Sequence, residues 1–390
     1  MAQAQAEAQS KSIRVLNTYT TKGRNYGAAV LGDDGLIWNA TITSVLRRFH
    51  PKTPGKIVSE QKLNGGVYRA ATKFQLSGKE NVMVFGTGTG VECFDTSGKN
   101  IFSYGNCNTC LAEQPVEFES KLIFVGNDGS LFSLTVNPFK FAKITKTTCG
   151  ALTSPAGIFK LGSHPNITYA VESMPDVISG ELQQNICVSD LAGGATSQKV
   201  AQRKEGSLVP VISIGPTIIP IPGSEEVAFW TTNRGHVLKS SGSTAEVTPS
   251  VRTDLEVCAP VVVASQDRLI VIGTSNSLKT FDAITFTTSG KILFRKSIVD
   301  SDGSAISAKA SGIPAVFKGT EGRSLAFIGF TDHYVRLIDL NSATVLASLK
   351  LPVTEQIENI CRLDENRFWV SEESGGEPDE ITKHYLIRIE

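Results

Sequence analysis

One phrase recurs along the chain and limits what it can fold into. It is a short apolar run holding Pro or a small residue, a turn, a β-rich run ending in Gly or a small polar residue, and a second run. It is anchored at Ala28, Ala70, Pro115, Pro155, Pro210, Pro260, Pro314 and Cys361, with separations of 42, 45, 40, 55, 50, 54 and 47 residues. A unit of about 48 residues holds four strands of five or six residues with their turns. Gly-Asn-Asp-Gly (126–129), Thr-Asn-Arg-Gly (232–235) and Asp33-Asp34-Gly35 supply hairpin chemistry, because Asn, Asp and Gly tolerate positive φ. Between these turns the runs alternate or are wholly apolar, and no segment has a capped helical period.

Radial repetition of four-stranded sheets leaves only short, protected edges. The sequence therefore predicts an all-β fold: a single β-propeller of eight four-stranded blades over 12–390, with seven blades as the alternative. The last unit supplies three strands, and 12–19 lacks a partner. The reading that pairs every strand makes this N-terminal strand the outer strand of the last C-terminal blade. Residues 1–11 (MAQAQAEAQSK) have nothing to bury and read as a disordered tail. A loop at 173–185 replaces a tight turn.

The 390 residues carry 38 basic and 38 acidic side chains and 41% hydrophobic residues. That apolar content excludes disorder as the main description. Zero net charge gives no electrostatic footprint for nucleic acid or an anionic membrane surface. No run of about eighteen apolar residues predicts a membrane span. With no secretory signal pattern, and seven cysteines whose spacing predicts no disulfide framework, the expected location is cytoplasmic.

The phrase LIFVGNDGSLFSLTV (122–136), with Gly-Lys in FDTSGKNIFSYG (94–105) and TTSGKILFRKSI (287–298), resembles the quinoprotein-type (PQQ-like) repeat. Asp95, Asp282 and Asp339 match its Asp position. The resemblance implies an eight-bladed propeller. It departs where that family places a docking Trp, since Phe102 and Phe294 stand there and Trp38, Trp230 and Trp369 fall on other strands. No two cysteines are adjacent, where the family's quinone enzymes use a Cys-Cys pair. The resemblance thus implies a propeller that is not a quinone-dependent dehydrogenase.

Linear chemistry is sparse. Cys107-Asn108-Thr109-Cys110 lacks the second half of a zinc site and the helix start that would activate a redox pair. Gly86-Thr87-Gly88-Thr89-Gly90 lies between two strands and reads as a turn rather than a phosphate loop. The five histidines have no metal-ligand spacing, so neither a metal nor a cofactor is expected. What remains is the ring of residues at the starts of the innermost strands: Arg24, Tyr26, Tyr68, Arg69, Glu113, Gln114, Ser154, Glu256 and Asn359. Arg and Tyr are enriched at binding hot spots. These residues predict a funnel that binds a protein, peptide or small-molecule ligand without catalysis. The alternatives are an enzyme acting on a small organic molecule in the same funnel, and a carbohydrate-binding lectin.

Overall fold

The computed structural model describes residues 11–22, 29–67, 71–75, 81–105, 111, 115–146, 151–152, 156–161, 164–173, 183–191, 195–202, 214–220, 226–241, 247–319, 322–373 and 381–390. Its elements are strands, with no helix among the described residues. They form antiparallel runs in chain order. The first comprises Val30–Leu31, Ile37–Ala40, Val45–Phe49 and Ile57–Lys62. The second, third and fifth repeat this order between Thr72 and Tyr104, Val116 and Lys146, and Thr217 and Arg252. In the fourth and sixth the first strand is interrupted, as Leu255–Val257 and Val262–Ser265 show in the sixth, where both pair with Arg268–Ser275. The seventh, from Ala310–Lys318 to Thr344–Lys350, and the eighth share one eight-stranded sheet. A single parallel pair, Ile313↔Asn359, links them.

The chain closes as the unpaired N-terminal segment predicted. Ile13–Lys22 runs antiparallel to Ile381–Ile389, from Ile13↔Ile389 to Lys22↔Ile381. The eighth run therefore takes three strands from one end of the sequence and its outermost strand from the other.

Strand alternation explains how consecutive runs stack. On Arg268–Ser275, Leu269 and Val271 pack toward the fifth run, whereas Ile270 and Ile272 pack toward the seventh. Among the described residues the buried apolar side chains fall into eight clusters, each spanning two consecutive runs. The cluster of Tyr19, Ile37, Phe49, Trp369 and Leu386 joins the eighth run back to the first, so the succession is cyclic. Each fully buried Leu, Ile or Phe side chain contributes about 1.5–3 kcal/mol relative to exposure.

Three details refine the sequence reading. Two of the anchor prolines lie where ladder bonds are already missing. Pro260 occupies the gap in the sixth run's first strand, and Pro314 lies in a bulge where Ser311 pairs with Gly329 and Ala315 with Phe327. A missing N–H is harmless there. Ser173 pairs with Gln183, so the insertion expected over 173–185 is confined to 174–182, outside the described residues. Cys187 is disulfide-bonded, where the spacing predicted no framework. Its partner lies outside the described residues. Cys93, Cys258 and Cys361 are free thiols.

Candidate functional site

The first strands of the runs face a common interior. A cavity of about 860 Å³ lies there, lined by residues of the fourth, sixth, seventh and eighth runs and the segment leading into the fifth. Its apolar wall is formed by Ile214, Pro216, Pro260, Ile313, Pro314 and Val316. Its polar lining includes Glu256, Lys309, Cys258 and Arg362.

The seventh run shapes this cavity. Between Ser311 and Ala315 its first strand carries more residues than the partner strand opposes, so Gly312, Ile313 and Pro314 bulge out of the ladder. Gly312 has φ of +68°, and a Cβ there would lie 2.1 Å from the Glu358 carbonyl oxygen. Only glycine allows that turn and that approach. The bulge leaves Ile313 in the cavity at 50% exposure, although it belongs to the innermost strand of its run.

Glu256 and Lys309 face each other across the sixth and seventh runs at 2.8 Å. Both are at least half exposed, so the pair contributes about 0–1 kcal/mol and is open to exchange with a ligand. Arg362 sits with its guanidinium carbon 4.4 Å from the centre of the Phe317 ring. Its Nε donates to the Asp364 carbonyl at 2.8 Å and one Nη donates to that of Glu365 at 3.2 Å. Cys258 is half-buried, its Sγ lies 3.9 Å from the Ile272 carbonyl oxygen, and burial pushes the thiol up to about 12. It therefore stays protonated at neutral pH and is a poor nucleophile.

Of the predicted funnel residues, Glu256 lies in this cavity. Asn359 is buried on the eighth run's first strand, opposite Ile313 in the parallel bridge, and does not line the cavity. Arg24, Tyr26, Tyr68, Arg69, Glu113, Gln114 and Ser154 lie outside the described residues, as do Cys107 and Cys110. Sequence reasoning missed Lys309, Ile313 and Arg362. The Ser-Gly-Ile-Pro string around Ile313 carried the signal, since Gly and Pro two residues apart inside a strand pattern mark a bulge. Gly86–Gly90 forms a hairpin turn, with Thr87 N donating to the Gly90 carbonyl at 2.8 Å. Among the described residues no three His, Cys, Asp or Glu side chains group as metal ligands, and no helix is long and apolar enough to cross a membrane.

No protein-family model matches the chain, and no curated protein matches it in sequence. Solved structures do match. Sqt1 from Saccharomyces cerevisiae is 8% identical, with 96% of this chain and 99% of that one covered at a TM-score of 0.63. The Dos1 propeller is 11% identical, with 96% and 95% covered at 0.58. BamB from Moraxella catarrhalis is 14% identical, with 94% and 98% covered at 0.56. At such identities the likeness concerns the fold, and the fold is a β-propeller.

Proposed function

We propose that the chain is an eight-bladed, PQQ-like propeller that serves as a binding platform, and that its central cavity receives a segment of a protein partner. The cyclic set of eight core clusters supports the blade count. The observation that carries the binding reading is Ile313. A bulge that requires glycine at 312 holds an apolar side chain half exposed in a cavity of about 860 Å³, where its own fold gives it little to pack against. Binding sites are mostly apolar clefts with a few polar groups that orient the ligand, and Glu256, Lys309 and Arg362 stand at this wall in that capacity.

Photo-crosslinking tests the proposal. Benzoylphenylalanine placed at Ile313 should capture discrete protein adducts from cells producing the chain. The same group at Leu293, on the outermost strand of the sixth run, is the control. Adducts that appear at 313, are absent at 293 and vanish with Lys309→Glu support the reading. Identical adducts at both positions, or none at 313, overturn it.

A further inference from the structure

A second cavity, of about 390 Å³, lies where the seventh and eighth runs meet. Its apolar lining is Phe317, Leu325, Leu337 and Ile389. Three cationic side chains line it as well: Lys11, Lys318 and Arg362. Arg362 also lines the central cavity.

The charges do not balance among the described residues. Glu390, which also lines the cavity, is held by Arg14 at 2.8 Å. Glu365 is exposed, and its backbone carbonyl rather than its carboxylate engages Arg362. Among the described residues, none of Lys11, Lys318 and Arg362 has a carboxylate partner. Several other arginines in the fold are paired, such as Arg47 with Glu60, Arg295 with Asp254 and Asp282, Arg336 with Asp300 and Asp332, and Arg367 with Asp364. Lys318 is held by neutral acceptors, the carbonyls of Val263 and Ala264 and the Ser324 hydroxyl at 2.8 Å. Desolvation lowers its pKa, which a carboxylate beside it would oppose. Arg362 lies against an aromatic ring with two of its donors spent on carbonyls, an arrangement that fixes the guanidinium while leaving donors free for a planar anion.

We propose that this second cavity binds a carboxylate carried on an apolar group, as in an acidic side chain within an apolar peptide segment. Arg362 grips the carboxylate, Lys11 adds positive charge, and the floor of Phe317, Leu325 and Leu337 accepts the apolar neighbours, while Lys318 stays bound to carbonyls of the sixth run. This site does not depend on the central cavity being occupied, because Ile313 and Lys309 line only the latter.

The test is a ligand-observed NMR titration of the full chain with N-acetyl-leucyl-glutamyl-leucinamide. Its glutaminyl counterpart and inorganic phosphate serve as comparisons. The glutamyl probe should bind and the glutaminyl probe should bind at least about tenfold more weakly, the scale of a hydrogen bond to a charged group. Arg362→Gln should weaken the glutamyl probe by a similar factor. Lys11→Gln disturbs no packed contact and should weaken it about two- to threefold, as a screened rim charge does. Ile313→Ser, which adds no charge to the cavity that shares Arg362, should leave it unchanged, which separates failure of this site from failure of the central one. Equal binding of the two peptides, displacement by phosphate at equal concentration, or full binding in both Lys11→Gln and Arg362→Gln overturns the proposal.

Discussion

The eighth run has two flanks, and they are built for different purposes. On the side facing the first run, Tyr19, Phe49 and Trp369 pack with ring centroids 5.2–5.5 Å apart, and all three are buried. His384 stacks on Trp369 at 5.0 Å. Neither cavity is lined by any of these residues. On the side facing the seventh run, the core is also aromatic, with Phe327 and Phe368 4.7 Å apart, yet both cavities touch this flank. The first seam lies beside the strand pairing that joins the two ends of the sequence, and the C-terminal strands of the eighth run reach the first run only through Ile13–Lys22. The second joins runs that follow one another directly in sequence. Filling is concentrated beside the pairing that closes the ring, and bulges and cavities are tolerated where the chain runs on directly.

The largest expected effect breaks the filled seam. Trp369→Ala should destabilise the fold by about 3–5 kcal/mol, as large-to-small changes at buried aromatics do. The Trp369 Nε1–H is buried without a hydrogen-bond partner, so the loss is one of packing alone. Chemical denaturation measures it. A loss below 1 kcal/mol would mean that this seam is not what closes the ring.

Acid should act on the same seam. His384 sits between the hydroxyls of Thr21 at 2.8 Å and Ser371 at 3.0 Å. Burial, reinforced by the positive charge of Arg47, lowers its pKa to about 3. The native imidazole is therefore neutral, while the unfolded chain takes up a proton below about 6.5. Stability from this group is complete above pH 6.5 and is lost as pH falls toward 3, at about 1.4 kcal/mol per unit. Between pH 7 and 5 the loss is about 2 kcal/mol. Denaturation at both pH values, repeated with His384→Gln, isolates it. The variant should show a shallower slope by that amount, and equal slopes would refute the assignment.

What was legible in the sequence follows the same division. The filled seam was readable because it depends on strand count. Three strands at the end of the chain and one orphan at 12–19 have one economical solution, and Ile13–Lys22 adopts it. The blade pattern was readable because Gly, Asn and Asp mark hairpins and apolar runs mark buried strands. The docking positions were readable in part. Phe102 stacks on Phe139 of the third run at 5.2 Å, as a docking residue should, whereas Phe294 remains 38% exposed beneath Lys296. The cavities were not legible. Glu256 was named because the sequence places it at the entry to an innermost strand, whereas Arg362 ends one and Lys309 precedes one. Bringing these three to one wall requires two bulges and an inter-run register that no linear spacing encodes.

The smallest expected effect is the most informative about the open flank. Ile313→Ser removes an apolar side chain from an innermost strand. Ile270 and Ile328, buried on the second strands of the sixth and seventh runs, mark the contrast with a packed position. Ile313 lies on the cavity side of a bulge and is half exposed, so Ile313→Ser should change stability by no more than about 0.5 kcal/mol, whereas Ile328→Ala should cost about 2–5 kcal/mol. Parallel denaturation curves measure the pair. A penalty at 313 near that at 328 would show that Ile313 is a packed core residue, and the central cavity would lose its best reason to be a binding site. Near-neutrality in stability, together with loss of the crosslinked adducts when Ser occupies 313 and the photo-crosslinker is moved to Val316, would show an apolar side chain kept for a partner rather than for the fold.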